Sequence, residues 1–230
     1  MRRTHAGPTP DEFVAPVEID VQQRRVTAMA VSLLLRYPDE DFPSRVDAVA
    51  EQLPMLPPTV AHEVGDFIAY ARGEDLRALQ EEYVDTFDQR RRCSLFLSYY
   101  SVGDTRQRGA AILAFRQQLA GLGVEEISDE LPDHLCVVLE ALALCGEESL
   151  PTAVDMVASH REGIEVLRRA LTDLGSAYSS LITALCMSLP HIDESTAARY
   201  INLIRQGPPS ELVGLDTTPL PFPTAQPDLV

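Results

Sequence analysis

The chain of 230 residues has neither lysine nor tryptophan, so arginine supplies all 19 basic side chains against 35 acidic ones. The formal net charge of −16 argues against nucleic-acid binding, which is driven mainly by basic surfaces. The lack of lysine excludes a Walker-type phosphate loop in its usual form. No run approaches the roughly 18 apolar residues that a membrane helix needs, so we expect no membrane insertion. The acidity instead favours a partner with a cationic surface.

Cysteine and histidine are too few and too scattered to indicate a metal site or a nucleophile. The four cysteines form no CxxC pair, and the five histidines show no HExxH spacing. A GxSxG motif is also missing. The pair Arg2-Arg3 is not followed by an apolar stretch, so we expect no export signal and a cytoplasmic protein. The sequence therefore predicts no enzyme activity, no metal and no cofactor of its own.

Both ends of the chain are rich in proline. Residues 1–20 contain three prolines and residues 207–230 contain six, with little apolar periodicity. Such segments cannot bury enough apolar surface to offset their ordering entropy, so we predict flexible tails at both ends. The sequence shows no sustained alternation of apolar and polar residues and no hairpin dipeptide, so we expect no β-sheet. The predicted fold is an all-α, single-domain helical bundle over residues 21–206.

Apolar residues recur at helical spacing through most of this domain. They predict helices over about 21–37, 46–53, 60–73, 76–87, 105–120, 132–145, 154–174, 178–186 and 195–206. Asp104 or Thr105 is placed to cap the fifth helix, and Pro132 fits the first turn of the sixth. This sixth helix is apolar on nearly every side, which places it at the centre of the bundle. Residues 95–100 fit either a short helix or an extended segment.

Charge is divided between two neighbouring stretches. Residues 89–116 hold six arginines and one acid, a net charge of +5, whereas residues 117–155 hold nine acids and no base. Charge runs are usually solvated faces that pair with each other. They also suit a polarised docking surface for a partner of complementary charge. The consecutive Arg90, Arg91 and Arg92 suit contact with an acidic surface of a partner or with phosphate groups. A hinge or solubility role is the simpler interpretation, because three neighbours cannot all face one ligand.

The segment from Glu130 to His134 combines residue types that suit either capping or binding. Pro132 fixes the backbone, and Asp133 favours the positive end of a helix dipole. His134 is placed to titrate near neutrality. Helix capping explains the same pattern without any chemistry.

Aromatic residues mark two further places. Tyr83 and Phe87 lie one turn apart on one helical face, a spacing that is more typical of a core than of a binding site. The adjacent Tyr99 and Tyr100 cannot both point inward from a helix, so one of them is expected to line a groove or to expose its hydroxyl.

Two runs together resemble the NarJ-type family, also called the respiratory nitrate reductase delta subunit. They are YVDTFDQRRRCSLFLSYYSVGDTRQRGAAILAF (residues 83–115) and ELPDHLCVVLEALAL (residues 130–144). The segment LLLRYPDE (residues 33–40) fits the same family, and the order of elements resembles it over residues 21–204. Residues 130–134 also resemble the E-x-P-D-H signature of the wider redox-enzyme maturation chaperones, which include the TorD and DmsD types.

This resemblance implies a non-catalytic, all-helical chaperone for molybdenum cofactor assembly. Its partner would be the apo catalytic (alpha) subunit of respiratory nitrate reductase, bound through its N-terminal segment. Binding would keep that subunit competent for cofactor insertion and delay its docking to the membrane. The residues that match the family pattern are Tyr83, Phe87, Asp88, Tyr99, Tyr100, Gly103, Asp104, Thr105, Arg106, Arg108, Gly109, Glu130, Pro132, Asp133 and His134.

We expect these residues, without Gly103, Thr105 and Gly109, to form the peptide-binding site. Leader-type segments are short amphipathic helices with basic residues, and an acidic bundle would bind one with its apolar face in a groove. The acidic side is expected to come from Glu130 and Asp133 with Glu140 or Glu126. The residues expected to line or support the groove are Tyr83, Phe87, Tyr99 and Tyr100.

Three alternatives stay open on the sequence alone. The client would be an S- or N-oxide reductase if the protein were a TorD- or DmsD-type chaperone, or the chain would be a permanent structural subunit. An enzyme would have to use Glu130, Asp133 and His134, the best constellation available.

The C-terminal segment departs from the family pattern. The family's tail, LD-x-x-W-x-E-P-V-x-F, is replaced here by LDTTPLPF (residues 215–222), which lacks the tryptophan and the acid. No role is therefore carried over for it.

Overall fold

The computed structural model describes residues 3–4, 6–8, 13–124 and 130–191. Over these ranges the chain is predominantly helical, which confirms the predicted all-α fold. None of the helices described is both long and apolar enough to cross a membrane. The α-helices are α1 (Val21–Leu34), α2 (Phe42–Ala50), α3 (Pro58–Gly73), α4 (Leu76–Tyr83), α5 (Leu97–Val102), α6 (Arg108–Gly121), α7 (Leu135–Leu144), α8 (Leu150–Ser159), α9 (Arg161–Leu174) and α10 (Tyr178–Ser188). A 3-10 turn follows α2 (Leu53–Met55), and a π-helical turn follows α4 (Val84–Asp88). A second 3-10 turn lies between that π-helical turn and α5 (Arg91–Cys93).

The segment that precedes α1 is attached to α9 and α10. The Val14 N–H donates to Glu165 Oε1 at 2.9 Å, and the Val17 N–H donates to the Met187 carbonyl at 2.9 Å. Before it, the two-residue strands β1 (Arg3–Thr4) and β2 (Gly7–Pro8) pair in antiparallel fashion. The predicted domain limits stay a prediction, and the predicted helix 195–206 and tail 207–230 lie outside the described residues.

A fully buried carboxylate, Glu165, holds this attachment. Its Oε1 also accepts from Arg161 Nε at 2.9 Å, and its Oε2 accepts from Arg168 Nε at 2.6 Å. Arg161 donates in turn to the carbonyls of Val14 at 2.6 Å and Cys186 at 2.7 Å. A buried charge is tolerated only when it is paired and hydrogen-bonded. The cluster therefore joins the segment before α1 to α9 and α10.

Most of helix α7 is buried, in keeping with its apolar sequence, and its predicted position at the centre of the bundle stays a prediction. It packs mainly on α1, where the Ser32 hydroxyl donates to the Cys136 carbonyl at 2.9 Å. Helix α10 packs on α1, α3 and α9. The fully buried ring of Tyr178 in α10 contacts Tyr83 and Phe87, with ring centroids 5.9 and 5.0 Å apart. The core thus extends to residues that the sequence assigned to a binding groove.

The predicted long helix over 154–174 is wrong, because His160 divides it into α8 and α9. The hydroxyl of Ser159 donates to the Met156 carbonyl at 2.7 Å, and His160 Nδ1 lies 2.8 Å from the same carbonyl. In a continuous helix the Met156 carbonyl would accept from the His160 N–H, but these two side chains occupy it instead. The His160 N–H bonds instead to the Val157 carbonyl at 3.0 Å, and the chain turns.

Three predicted helix starts and ends are also corrected. Helix α1 ends at Leu34 rather than near residue 37, since Pro38 disfavours helical backbone at the residue before it. Helix α7 starts three residues after Pro132, because residues 133–135 pair with another segment. Helix α6 starts at Arg108 and has no side-chain cap. The Thr105 hydroxyl, predicted as a cap, instead closes a local turn by accepting from the Gln107 N–H at 3.2 Å.

Candidate functional site

A cleft of roughly 530 Å³ opens between the π-helical turn, α5, the start of α6 and residues 130–134. Eight of the twelve residues expected at the peptide site line it, and Tyr100, Arg106, Pro132 and Asp133 do not. The lining residues are Tyr37, Tyr83, Phe87, Asp88, Arg90, Arg91, Ser94, Leu95, Phe96, Tyr99, Asp104, Arg108, Glu130 and His134.

A short backbone pairing brings the two resembling runs of the sequence together at this cleft. The Leu97 N–H donates to the Asp133 carbonyl at 2.9 Å, and the Leu135 N–H donates to the Leu95 carbonyl at 2.8 Å. The residues between them face each other as an isolated antiparallel bridge. Residues 95–100 are therefore extended at their start and helical from Leu97, so each of the two predicted conformations holds for part of the segment.

Asp133 lies behind the cleft and not in it. Its side chain is fully buried, and its Oδ2 accepts a hydrogen bond from the Ser98 hydroxyl of α5. Its Oδ1 has no hydrogen-bond partner among the described residues. Pro132 and Tyr100 are also buried, whereas Arg106 is exposed outside the cleft. The structure thus gives Asp133 a contact that holds α5 close to the start of α7.

His134 is the N-cap of α7 and forms part of the cleft wall. Its Nδ1 accepts from the Cys136 N–H at 3.3 Å, and its ring meets the Phe96 ring edge-on with centroids 5.2 Å apart. Burial lowers the pKa of His134 to about 4, with Asp133 opposing the shift and Arg36 adding to it. The imidazole is therefore neutral at physiological pH. The predicted titration near neutrality is wrong, and the alternative of a capping residue is confirmed.

Tyr83 and Phe87 form the aromatic floor of the cleft and also contact the core. Their ring centroids lie 4.7 Å apart, and the exposed ring of Tyr37 meets Tyr83 edge-on at 5.4 Å. The Tyr83 hydroxyl donates to the Leu35 carbonyl at 3.3 Å. Burial raises the pKa of Tyr83, and the charge of Asp88 adds to the shift. The floor is thus rigid, apolar and bordered by negative charge.

The adjacent tyrosines of α5 divide as their helical spacing predicts. Tyr99 lines the cleft and is half-buried, whereas Tyr100 points into the bundle. The Tyr100 hydroxyl donates to the Ser94 carbonyl at 2.8 Å. Its ring packs directly on Gly163 of α9, where an added Cβ would lie 2.7 Å from Tyr100 Cβ. Tyr100 therefore supports the wall that carries Tyr99.

Charges of both signs line the cleft. Asp88, Asp104 and Glu130 are exposed acids, and Arg90, Arg91 and Arg108 supply the positive charge. Elsewhere, Glu140 pairs with Arg36 and does not line the cleft, and Glu126 lies outside the described residues. Among the described residues, the carboxylates that line the cleft are those of Asp88, Asp104 and Glu130.

Six of the fourteen lining residues were not among those predicted for the site, and they include Tyr37, Phe96, Arg90 and Arg91. Tyr37 was predicted as the end of the first helix, but it follows the end of α1 and lines the cleft. Phe96 carried no signal beyond its apolar run, because its role depends on a pairing with a segment distant in sequence. For Arg90 and Arg91 a hinge or solubility role was preferred to contact with a ligand, yet both line the cleft. The consecutive Arg92 does not line it, which agrees with the expectation that three neighbours cannot face one ligand.

The cysteines of the described part are buried, and its possible metal ligands do not cluster. No group of three or more histidine, cysteine, aspartate or glutamate side chains there could hold a metal ion. The four cysteines are buried, and burial raises the pKa of the Cys136 thiol to about 12. A thiol in such surroundings stays protonated and packs as a small apolar group.

Comparison with known sequences gives a consistent result. The profile of the nitrate reductase delta subunit family matches residues 53–184. NarJ of Escherichia coli, a nitrate reductase molybdenum cofactor assembly chaperone, is 34% identical over 121 residues, which cover 51% of each protein. NarJ of Bacillus subtilis, described as a probable chaperone of the same kind, is 26% identical over 76% of this chain and 94% of its own. The nitrate reductase-like protein NarX of Mycobacterium tuberculosis is 33% identical over 161 residues. That match covers 70% of this chain, which spans about a quarter (24%) of the length of NarX.

A solved structure shares the fold. The crystal structure of a candidate redox enzyme maturation protein from Archaeoglobus fulgidus aligns with a TM-score of 0.52 at 19% identity, covering 76% of this chain and 96% of that one. The family profile covers more than half of the chain and includes every lining residue of the cleft except Tyr37. The chain therefore belongs to the nitrate reductase delta subunit family, as the resemblance of its two runs implied.

Proposed function

We propose that this protein is an assembly chaperone for a respiratory nitrate reductase, and that its cleft binds the N-terminal segment of the apo catalytic subunit. The chaperone role is supported by the family match and by the function in the name of the Escherichia coli relative. The binding role is carried by one observation, the placement of Tyr83, Phe87 and Tyr99 beside Asp88 and Glu130 in a single cleft. Aromatic side chains bury apolar groups, and exposed carboxylates attract cationic ones.

The dimensions of the cleft fit one face of a peptide helix. Pockets of about 300–1,000 Å³ take ligands of drug size, and a volume of roughly 530 Å³ has room for a few side chains from adjacent turns. An amphipathic helix places such side chains at positions i, i+3 and i+4 on its apolar face. Basic residues beside that face would lie near the carboxylates. The net charge of −16 would also increase the rate of encounter with a basic segment.

Occupying the client's N-terminal segment explains the role without any catalytic step. The apo subunit would stay competent for insertion of the molybdenum cofactor while its segment is held by the chaperone. Its docking to the membrane would be delayed until the chaperone leaves. The cofactor belongs to the client, and the chaperone needs none of its own.

The charge part of this proposal is tested by calorimetric titration of the catalytic subunit's N-terminal peptide. Asp88→Asn and Glu130→Gln should together weaken binding about threefold to tenfold and reduce its dependence on salt. Glu51→Gln, at the exposed end of α2, removes one acid away from the cleft and should leave binding unchanged. Unchanged affinity in the Asp88 and Glu130 variants would remove these acids from the site.

The identity of the client is tested by capture from cells that make the catalytic subunit in its apo form. The chaperone should capture the full-length apo subunit and lose it when the N-terminal segment is deleted. Equal capture without the segment would place the contact elsewhere on the client. Preferential capture of an S- or N-oxide reductase would assign the chaperone to a different molybdoenzyme.

A further inference from the structure

Three arginines reach the cleft from separate parts of the chain. Arg90 and Arg91 belong to the turn after the π helix, and Arg108 is the first residue of α6. In the part of the chain that the structure describes, neither Arg90 nor Arg91 lies within 4 Å of a carboxylate. Arg108 Nη1 is 3.9 Å from Asp104 Oδ1, which is too far for a hydrogen bond. Three carboxylates line the same cleft, but among the described residues none of the contacts described for these arginines is a hydrogen-bonded ion pair.

Arg108 is held in position by contacts that leave hydrogen-bond donors unused. Its guanidinium lies over the Phe96 ring, 5.1 Å from the centroid, in a cation–π contact. Its Nε has no hydrogen-bond partner among the described residues. Arg90 donates from its Nε to the Asp85 carbonyl at 3.1 Å, which fixes the side chain while its charge stays unpaired. These guanidinium groups are preorganised for an acceptor from outside the chain.

A basic, purely amphipathic helix would be a poor ligand for this arrangement. It would cover three cationic side chains and oppose them with its own positive charges, and burying charges without partners is strongly unfavourable. A carboxylate on the ligand removes this penalty, because arginine binds carboxylates in a bidentate, charge-assisted geometry. The carboxylates of Asp88 and Glu130 line the same cleft and would lie near a basic residue of the ligand. A ligand with both signs of charge matches the cleft best.

We propose that Arg90, Arg91 and Arg108 form an anion subsite that binds an acidic side chain of the client's N-terminal segment. The cleft then recognises a helix that carries an acidic residue as well as basic ones. Leader-type helices with only basic residues would be rejected by repulsion, which gives the chaperone specificity for its own client. This inference rests on the proposed function, since it assumes that the cleft binds that segment.

The experiment is a double-mutant cycle measured by calorimetry at constant ionic strength. The ligands are the synthetic N-terminal peptide of the catalytic subunit and a copy in which every Asp and Glu is changed to its amide. The proteins are the wild type, Arg91→Gln and Arg108→Gln, with Arg77→Gln as a control on the exposed face of α4. The wild type and Arg77→Gln should bind the amide peptide about threefold to tenfold more weakly than the acidic one. At least one cleft variant should bind the two peptides equally.

The possible results separate this inference from the proposed function. Additive effects of the protein and peptide changes, or equal binding of both peptides to the wild type, would overturn the anion subsite alone. Failure of the wild type to bind the unmodified peptide would refute the proposed function and the subsite with it. Arg91 is exposed, so Arg91→Gln tests the subsite even if Arg108→Gln fails to fold. Titration with inorganic phosphate completes the test, because binding that is lost in Arg108→Gln and that blocks the acidic peptide would assign the subsite to a phosphate group instead.

Discussion

Two buried histidines should make the fold sensitive to mild acid. Burial lowers the pKa of both His134 and His160 to about 4, from an ordinary value of 6.5. The folded protein therefore keeps both rings neutral at pH values where the unfolded chain already binds protons on them. Stability is complete above pH 6.5 and is lost progressively as the pH falls from 6.5 towards 4.

The size of the effect follows from these pKa values. Each pKa unit corresponds to about 1.4 kcal/mol, so at pH 5 each histidine should reduce the free energy of unfolding by about 2 kcal/mol. The two together would remove about 4 kcal/mol, a large share of the ~5–15 kcal/mol that stabilises a typical domain.

His160 is the better residue for the test because its surroundings explain the shift. The Met156 carbonyl can only accept, so His160 Nδ1, 2.8 Å away, carries the proton of the neutral ring. The Nε2 atom is buried and has no hydrogen-bond partner among the described residues. A second proton there would be a buried charge without a partner, which is the costly state. His160→Asn keeps a side-chain N–H donor and removes the group that titrates.

The assay is urea unfolding followed by circular dichroism at pH 7.5 and pH 5.0. His160→Asn should be less stable than the wild type at both pH values, since it loses the ring contact with Phe115. The loss of stability between the two pH values should nevertheless be about 2 kcal/mol smaller in the variant. Gln52→Asn, an exposed change after α2 that removes no titratable group, should show the same loss as the wild type. An equal loss in His160→Asn and the wild type would refute the reasoning.

Two further substitutions test contacts that hold the cleft and the bundle. Glu165→Gln should lower the free energy of unfolding by about 3–5 kcal/mol, because two arginines lose a buried counter-charge. The exposed Asp173→Asn should cost less than about 1 kcal/mol, and equal effects would show that burial is not the cause. Gly163→Ala should destabilise the protein by about 1–3 kcal/mol and weaken peptide binding, since the new Cβ would displace Tyr100 and the cleft wall. Gly65→Ala, where a Cβ meets only Leu53 Cδ1 at 3.9 Å, should do neither, and unchanged binding in Gly163→Ala would contradict the supporting role of Tyr100.

Local periodicity was sufficient to predict most of the helices and the burial of most of α7. It failed where side chains compete with the backbone, as at His160, because an apolar stripe continues across that break. It also could not show that Asp133 is buried, since the carboxylate's partner, Ser98, lies 35 residues away in sequence. The family resemblance identified eight of the fourteen residues that line the cleft. It carried no information on which of the matched residues face the solvent. Burial is set by the pairing of residues 95–97 with residues 133–135, which no local pattern contains.

The segment from Glu130 to His134 therefore has two roles: one residue presents a charge in the cleft, and the others hold the surrounding helices in place. Glu130 is exposed in the cleft, whereas the carboxylate of Asp133 is used to accept from Ser98 of α5. His134 caps α7 while its ring supports Phe96, over which the Arg108 guanidinium is stacked. The exposed acid Glu130 and the guanidinium of Arg108 are thus both positioned by the buried residues 132–134 and by Phe96. Because the wall is built by buried contacts, the exposed charges of the cleft can be changed without changing its shape.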